Sequence, residues 1–508
     1  MKLLVITGGN FHDFEGVAKE LEALFNAHPR IEAHFTTDRA ALAGDLSGYD
    51  AIVAYTQGGE LTPDQEKGLT GFVKSGGGFL GIHGATASWQ NNSEYMMMIG
   101  AQFDGHGHVH DIPVTVTDRE HPAATRVLDF TLPDELYLLK RHAPFDVFAT
   151  TWRLGKEEPM AYSRQYGEGR VVYLAGGHQR RWFRHPSPRR LILRGLDYVT
   201  GFGEETELTA GIIGYGGAFN MGRKHGQDLA SPGNTMKVAA VCDLDEARLE
   251  EAKTDFPGID TFTDVDAMLS SGIDIAIVIT PHDSHEPLAV KCLDAGCHVV
   301  VEKPMAIGAA AADRMVQAAS KAGRALTVYH NRRLDLDYLA LRHIVETGMI
   351  GRVFRIENHM ANFRRPGTWW RSFKDVSGGV HYDWGAHNVD WILGLMGGDA
   401  VIGVAGYAQK RMWEHVTNQD EMKWTLRFAS GVVADLVQSS IAASSGPRWR
   451  VVGTGGSAVS HWGPNPEDRY FEVTQPQGEF QFPVVTKLPF KADACDSFYL
   501  NLADHLHR

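Results

Sequence analysis

The sequence predicts an α/β protein with three domains. At 508 residues the chain is too long for one core of the usual ~100–200 residues. Short apolar runs alternate with helical patterns through the first part, which is typical of a doubly wound sheet. A strand, a glycine turn and a helix then start a second alternating series, and past residue 332 the strands become long and alternating. We therefore predict domains at 1–204, 205–331 and 332–508.

The elements of each predicted domain follow from their apolar runs. The first domain has strands at 3–6, 51–54, 78–82 and 171–175, and helices at 14–25, 63–74 and 188–200. The second has strands at 208–213, 238–242, 275–280 and 298–301, which connection rules make a right-handed parallel sheet. The third has strands at 353–359, 401–407, 421–428, 432–438 and 449–452, and we expect a mostly antiparallel sheet that serves a substrate domain.

Composition and charge exclude several partners. The net charge of −13 is spread along the chain and basic residues cluster only around 180–190, so we expect no nucleic-acid binding. No apolar stretch reaches the ~18–20 residues of a membrane span, and the apolar start is too short for a signal peptide. We therefore expect a cytoplasmic protein with no membrane partner. The four cysteines lack CxxC spacing, which indicates packing thiols.

A dinucleotide site is predicted after the strand at 208–213. Gly214 and Gly216 allow a tight turn and close approach of a pyrophosphate to a helix N-terminus. Phe219 occupies the place of the third glycine, so the helix must enter differently or lie farther from the strand. Asp243 ends the next strand, where an acid binds the ribose hydroxyls, and favours NAD over NADP, although Arg248 could reach a 2′-phosphate. The expected contacts of this turn are Gly214, Gly216, Gly217, Ala218, Phe219 and Asp243.

The segments that follow the next two strands resemble a known family. Thr280-Pro281 with His285, Ala295-Gly296, and Glu302-Lys303-Pro304 resemble the glucose-fructose oxidoreductase and inositol dehydrogenase family (Gfo/Idh/MocA) over about 208–508. The resemblance implies that Lys303 lies beside the nicotinamide and the reacting carbinol. It further implies cofactor contacts by Thr280, Pro281, His285, Glu302 and Lys303.

The family's second motif stands at 378–387 and carries over Asp383 and His387. Positions four apart on a helix share a face, so both can converge on one substrate hydroxyl. We expect neutral His387 to take the hydroxyl proton, Lys303 to polarise the oxygen, and Asp383 to orient them. A purely structural role for His387 is the alternative.

Substrate contacts are predicted from aromatic and basic residues. Trp370 and Arg371, just before the second motif, can stack on a sugar ring and hydrogen-bond its hydroxyls. The alternative, that the Trp369-Trp370 pair fills the core, stays open. Asn331 and Arg332, near the domain crossing, are equally ambiguous candidates.

The first domain resembles another family, the trehalose-utilisation ThuA-like domain. The resemblance rests on Gly8-Gly9 with His12, the glycine-rich segment 76–85, Asp134-Glu135, and Gly176-Gly177-His178. It implies a glutamine-amidotransferase-like, flavodoxin-like fold. His83 stands where those enzymes carry a nucleophilic Cys, and this domain has no cysteine, which excludes thiolate chemistry.

We expect a pocket in this domain at His83, His106, Glu135 and His178. His106, His108 and His110 would share a strand face if that segment is extended, which makes a metal site conceivable. The two glycines of this segment, Gly105 and Gly107, argue for a loop, so we predict no metal.

The sequence as a whole predicts NAD-dependent oxidation of a secondary hydroxyl, with C3 as a candidate position, of a sugar, glycoside or polyol. One alternative is redox-neutral glycoside cleavage through a transient 3-keto intermediate and elimination. Another is a non-catalytic sugar sensor, which would predict loss of Lys303, Asp383 or His387. We also expect a homo-oligomer formed through the C-terminal sheet.

Overall fold

The computed structural model describes residues 1–202, 207–216, 219–231, 234–478, 482–490 and 497–507. The chain forms two compact units. The first comprises Met1–Glu207, Ser231–Thr235 and Asp493–Arg508, and the second comprises Leu208–Ala230 and Met236–Ala492. Within the described ranges, no helix is both long enough and apolar enough to cross a membrane.

The first unit begins with an alternation of strands and helices and continues with a run of strands. Its elements up to residue 200 are β1 (Lys2–Gly8), α1 (Phe14–Asn26), β2 (Glu32–Thr36), β3 (Ala51–Thr56), α2 (Pro63–Lys74), β4 (Gly78–Ile82), α3 (Ser93–Ile99), β5 (Ala101–His106), β6 (His110–Val116), β7 (Phe130–Asp134), β8 (Tyr137–Arg141), β9 (Asp146–Arg153), β10 (Lys156–Tyr166), β11 (Gly169–Leu174) and α4 (Pro186–Thr200).

Nine of these strands form one sheet in the order β2-β1-β3-β4-β11-β10-β9-β6-β7. The five strands from β2 to β11 are parallel, as the alternating apolar runs predict, and β1, β3, β4 and β11 are almost entirely buried. The doubly wound prediction is therefore confirmed. The remaining four strands are antiparallel, and their apolar pattern does not predict them.

The second unit contains two sheets. Its elements are β12 (Leu208–Ile213), α5 (Met221–Leu229), β13 (Met236–Cys242), α6 (Glu246–Asp255), β14 (Asp260–Phe262), α7 (Val265–Leu269), β15 (Ile275–Val278), α8 (His285–Asp294), β16 (His298–Val301), α9 (Ala309–Ala322), β17 (Leu326–Val328), α10 (Leu336–Glu346), β18 (Val353–Ala361), α11 (Lys374–Ser377), α12 (Val380–Leu395), β19 (Val401–Gln409), β20 (Glu421–Phe428), β21 (Val433–Ser439), β22 (Trp449–Gly453), β23 (Gly456–His461), β24 (Tyr470–Gln475) and β25 (Val484–Pro489).

The first sheet of this unit is parallel and six-stranded, in the order β14-β13-β12-β15-β16-β17. The second has eight strands in the order β19-β20-β21-β18-β22-β23-β24-β25 and is antiparallel except for the β18–β21 pair. Helices α10 and α12 bury Tyr338, Leu341, Trp391 and Ile392 in the core beneath it. The predicted Rossmann-like parallel sheet and the mostly antiparallel C-terminal sheet are both confirmed.

The last helix, α13 (Phe498–Leu506), belongs to the first unit. Its Asp504 forms ion pairs with Arg126, Arg190 and Arg194, whose side chains are almost completely buried. The prediction that 332–508 forms one domain was therefore wrong at its end. These ion pairs join residues far apart in the sequence, so no local pattern reveals where this helix lies.

Three cysteines, Cys242, Cys292 and Cys297, are buried free thiols in the parallel-sheet core. Burial raises the pKa of the Cys242 thiol to about 11 and that of Cys292 to about 12, which keeps both protonated. The fourth, Cys495, lies outside the described residues.

Candidate active site

The carboxyl ends of β12, β13, β15 and β16 meet at one edge of the parallel sheet, where ligands bind in such folds. A cavity of about 720 Å³ lies there. Its lining includes most of the predicted cofactor residues: Gly214, Gly216, Phe219, Asp243, Thr280, Pro281, His285, Glu302 and Lys303. Gly217 and Ala218 lie outside the described residues.

The glycine turn is shaped for close backbone approach. Gly214 has φ +89°, and a Cβ there would lie 2.8 Å from the Ile279 carbonyl oxygen. Helix α5 begins at Met221, and a Cβ on Gly222 would lie 2.8 Å from Cα of Tyr215. The expected alternative of a helix farther from the strand is therefore wrong. Gly222 supplies the close helix–strand packing for which the sequence motif normally uses an earlier glycine.

Asp243 closes the turn from the neighbouring strand. Its Oδ2 accepts hydrogen bonds from the backbone N–H of Tyr215 (2.8 Å) and Gly216 (3.0 Å). The carboxylate thereby faces the cavity beside the exposed Leu244. Arg248, the possible 2′-phosphate ligand, pairs instead with Glu251 at 2.9 Å. The open turn and the acid together fit the adenosine half of a nicotinamide dinucleotide.

Two turns at the sheet edge are tied together by buried polar side chains. The ring nitrogens of His285 lie 2.8 Å from the carbonyl oxygens of Thr280 and Pro304. Glu302 Oε2 accepts a bond from the Lys303 backbone N–H (2.9 Å), and its Oε1 lies 3.2 Å from Nε2 of His225. His285 and Glu302 therefore hold the turn that carries Lys303.

Lys303 and Asp383 form the charged centre of the site. Lys303 Nζ donates to Asp383 Oδ1 at 2.6 Å, and Arg371 Nη1 donates to the same oxygen at 3.2 Å. Burial alone would raise the pKa of Asp383, but Lys303 and Arg371 lower it to about 2. Asp383 is thus ionised and holds both cations at the cavity.

His387 lies one helical turn after Asp383 on α12 and is 4% exposed. Burial, followed by the positive charge of Lys303, lowers the pKa of His387 to about 2, so the imidazole is neutral. No described residue hydrogen-bonds its Nδ1. The His330 ring lies 5.9 Å away, and burial also lowers the pKa of His330. The structure therefore pairs the predicted Lys303 with Asp383 and places His387 one helical turn after Asp383, although only Lys303 of the three lines the cavity.

Aromatic side chains surround Arg371 at the cavity wall. Its guanidinium carbon lies 4.9 Å from the Phe219 ring, 5.5 Å from Trp369 and 5.1 Å from Trp370. Trp369 and Trp370 are half-buried and line the cavity, so they do not simply fill the core. Asn331 and Arg332 are not part of the lining, and Arg332 packs over Trp384 and pairs with Asp335.

Sequence reasoning missed His225 and His282 as parts of the site. His282 is buried, its Nδ1 lies 2.9 Å from the Ser377 carbonyl oxygen, and its ring packs on Trp370. Burial lowers the pKa of His282 to about 3. Proximity to Thr280-Pro281 could have pointed to His282, but nothing local distinguishes His225 from an ordinary helical histidine.

The first unit has its own cluster of polar residues at the carboxyl ends of its parallel strands. His83 follows β4 with φ +45°, is fully buried, and places Nδ1 2.7 Å from the Ala175 carbonyl oxygen. Glu135 lies near three histidines, with a carboxylate oxygen 4.0 Å from His83 Nε2, 3.6 Å from His106 Nδ1 and 3.2 Å from His178 Nδ1. The four predicted pocket residues therefore lie close together, with Glu135 between the three histidines.

His12, which was left out of the predicted pocket, joins the cluster. Its Nδ1 lies 3.1 Å from His178 Nδ1, and its Nε2 lies 3.3 Å from the Tyr137 hydroxyl. Burial lowers the pKa of His12 to about 4. By contrast, His106 ends β5 and His110 begins β6, with an exposed loop between them. The conditional placement of His106, His108 and His110 on one strand face was wrong, because the two glycines permit a loop.

Three family models match successive parts of the chain. The ThuA (trehalose utilisation) model matches residues 2–199, and the GFO/IDH/MocA model, an oxidoreductase family with an NAD-binding Rossmann fold, matches 208–330. A GFO/IDH/MocA C-terminal domain model matches 338–459.

Relatives of known name match parts of the chain. The chain is 28% identical over 274 residues to scyllo-inositol 2-dehydrogenase (NADP(+)) IolW of Bacillus subtilis, covering 54% of this chain and 74% of that protein. It is 30% identical over 193 residues to myo-inositol 2-dehydrogenase of Thermotoga maritima, covering 37% of this chain and 55% of that protein. A solved NAD-binding protein from Listeria innocua superposes with TM-score 0.52 at 28% identity, covering 59% of this chain and 87% of that one. The chain thus consists of a ThuA domain followed by the NAD-binding and C-terminal domains of the GFO/IDH/MocA oxidoreductase family.

Proposed function

We propose that the second unit oxidises a secondary hydroxyl of a sugar, glycoside or polyol with NAD. The observation that carries the proposal is the Lys303–Asp383 ion pair at the cavity beside the glycine turn, with neutral His387 one helical turn after Asp383. The inositol dehydrogenases among the relatives act on polyol hydroxyls and support this substrate class. The C3 position, the cytoplasmic location and the substrate roles of Asn331 and Arg332 stay predictions from the sequence.

Lys303, His387 and Asp383 have different roles in the proton transfer. A nicotinamide dinucleotide held by the glycine turn, Asp243 and Thr280 would supply the hydride acceptor for the carbinol carbon. Lys303 donates a hydrogen bond to the substrate oxygen and stabilises the negative charge that develops there. His387 is neutral and accepts the hydroxyl proton as that oxygen becomes acidic. Asp383 keeps Lys303 in place, and the Trp370 ring with Arg371 offers a stacking and hydrogen-bonding wall for a sugar.

We propose NAD as the preferred cofactor. Asp243 presents a carboxylate at the cavity where a 2′-phosphate would add negative charge, and Arg248 is engaged by Glu251. The relative from Bacillus subtilis is named as NADP-linked, so kcat/KM of this chain is compared with NAD and with NADP.

The test is turnover of a panel of sugars, glycosides and polyols by the purified chain with added NAD, followed by the absorbance of reduced cofactor and by product mass. We expect NADH together with a product two hydrogens lighter, and NMR of that product identifies the oxidised position. Lys303→Met should lower kcat by ~10³-fold, whereas Lys321→Met, at an exposed lysine on α9, should not.

Two outcomes would contradict the proposal. Cleavage of a glycoside without net NADH would establish the redox-neutral alternative. Sugar binding with neither NADH nor a cleaved product would establish a sensor.

We propose in addition that copies of the chain associate through the C-terminal sheet. The edge strand β19 has no buried residue, and Ile402, Val404 and Tyr407 are each more than 60% exposed. A long apolar edge strand is a surface that proteins normally cover. Light scattering should show an oligomer for the native chain and a smaller species for Val404→Asp; a native monomer would contradict this.

A further inference from the structure

A histidine cluster in the ThuA unit has no part in the chemistry proposed above. His12 follows β1, His83 follows β4 and His178 follows β11, and these parallel strands end at the same edge of one sheet. One ligating atom from each of the three histidines lies within 4.8 Å of the other two. Three imidazoles from distant parts of the chain thus converge on a single point.

We propose that His12, His83 and His178, with a carboxylate oxygen of Glu135, bind a divalent transition-metal ion of the Zn²⁺ class. Two ligands held at about 2.0–2.1 Å from a tetrahedral ion lie about 3.3 Å apart. His12 Nδ1 and His178 Nδ1 are 3.1 Å apart, and His178 Nδ1 is 3.2 Å from Glu135 Oε2. Imidazole nitrogens with one carboxylate suit this class of ion, whereas Ca²⁺ and Mg²⁺ prefer oxygen ligands.

His83 is the strongest single argument. Its side chain is fully buried, and its Nε2 has no hydrogen-bond partner among the described residues. A buried polar atom left unpaired costs roughly 1–3 kcal/mol. Donation by Nδ1 to the Ala175 carbonyl (2.7 Å) fixes the tautomer that leaves the lone pair on Nε2. The left-handed φ of +45° at this non-glycine residue is a strain of the kind that persists at functional sites.

Neighbouring residues orient the other ligands. Asp134 is buried and accepts hydrogen bonds from the backbone N–H of Glu135 (2.8 Å), Gly177 (2.7 Å) and His178 (3.0 Å). The Tyr137 hydroxyl lies 3.3 Å from Nε2 of His12, so a proton on Nε2 leaves the Nδ1 lone pair for an ion. Such outer-shell contacts typically accompany metal-ligating histidines. A metal ion bound here would contradict the expectation from sequence that the chain holds no metal.

The test uses the full chain without a histidine tag. The protein is stripped with EDTA, loaded with excess Zn²⁺, desalted and measured by mass spectrometry of the metal, and Co²⁺ is loaded separately for its visible absorption. We expect one ion per chain. His178→Ala and Glu135→Gln, whose side chains are partly exposed, should each weaken Zn²⁺ binding by about tenfold or more.

The matched control is His110→Ala, at an exposed histidine outside the cluster, which should bind one ion like the native chain. Zn²⁺ should also raise the thermal transition of the native chain and of His110→Ala, but not that of His178→Ala. Because circular dichroism shows whether each variant folds, the comparison uses only folded protein. The proposal would be overturned if the native chain did not retain metal, or if His178→Ala and Glu135→Gln retained as much metal as the native chain.

Discussion

At the scale of single residues, the proposed preference for NAD rests on the carboxylate of Asp243. Asp243→Ser removes the negative charge that opposes a 2′-phosphate. We expect kcat/KM with NAD to fall and that with NADP to rise, each by about tenfold, or ~1.4 kcal/mol in transition-state stabilisation.

Asp245→Ser is the matched control for this change. Asp245 is exposed and caps α6 through the Ala247 N–H, a role that serine also fills. Its kinetics with both cofactors should equal those of the native chain. An unchanged NAD preference in Asp243→Ser would show that other residues discriminate.

Buried neutral histidines make the second unit sensitive to acid. The folded-state pKa of His387 is about 2 against an ordinary 6.5, and that of His282 is about 3. Between these limits the unfolded chain binds protons that the folded chain does not. The contribution of these histidines to the free energy of unfolding is therefore complete above pH 6.5. It falls as pH decreases, by up to about 1.4 kcal/mol per pH unit for each histidine.

Calorimetry between about pH 7 and pH 5 measures this slope. In His387→Asn the free energy of unfolding should fall less steeply with decreasing pH, because one buried histidine no longer contributes to the slope. His343→Asn, at an exposed histidine on α10, should follow the native slope. A native slope in His387→Asn would mean that His387 is already protonated in the folded protein.

At the scale of elements, the close packing of α5 on the end of β12 depends on Gly222. A Cβ there would lie 2.8 Å from Cα and Cδ2 of Tyr215, so Gly222→Ala must push the helix away. We expect a loss of roughly 1–3 kcal/mol in stability and weaker cofactor binding, measured by thermal unfolding and titration calorimetry.

Gly71→Ala on α2 separates this steric effect from the general effect of alanine in a helix. A Cβ at Gly71 meets no atom within 4 Å, so the change should stabilise by about 0.5–1 kcal/mol. If Gly222→Ala also stabilised the protein, the close approach would not constrain the helix.

Local patterns predicted most of the elements but not all. The glycine turn, the Glu302-Lys303 turn and the Asp383 helix lie where the sequence predicts them, because each follows from backbone conformations of a few adjacent residues. Strands β23, β24 and β25, in contrast, were not predicted. They are short and only partly buried, so their apolar alternation is weak.

At the scale of the whole molecule, the two ends of the chain share one unit. Asp504 on α13 faces the buried guanidinium groups of Arg126, Arg190 and Arg194. Asp504→Ala removes the carboxylate common to these cations, and breaking such a buried pair costs roughly 3–5 kcal/mol. The thermal transition of the first unit should fall accordingly, as measured by calorimetry.

Glu15→Ala, which breaks an exposed pair with Lys19, should leave that transition unchanged. An equally small effect of Asp504→Ala would show that the last helix contributes little to the first unit.

The fold class, the order of the domains, and the residues of the glycine, Glu302-Lys303 and Asp383 motifs can be read from the sequence alone, since these depend on short-range periodicity and backbone geometry. Which distant side chains come into contact follows only from the folded chain. It placed His12 beside His83 and His178, Arg371 beside Asp383, and Asp504 beside three arginines. These contacts depend on strand order in the sheets and on long-range packing. The spacing of residues along the chain carries no information about either.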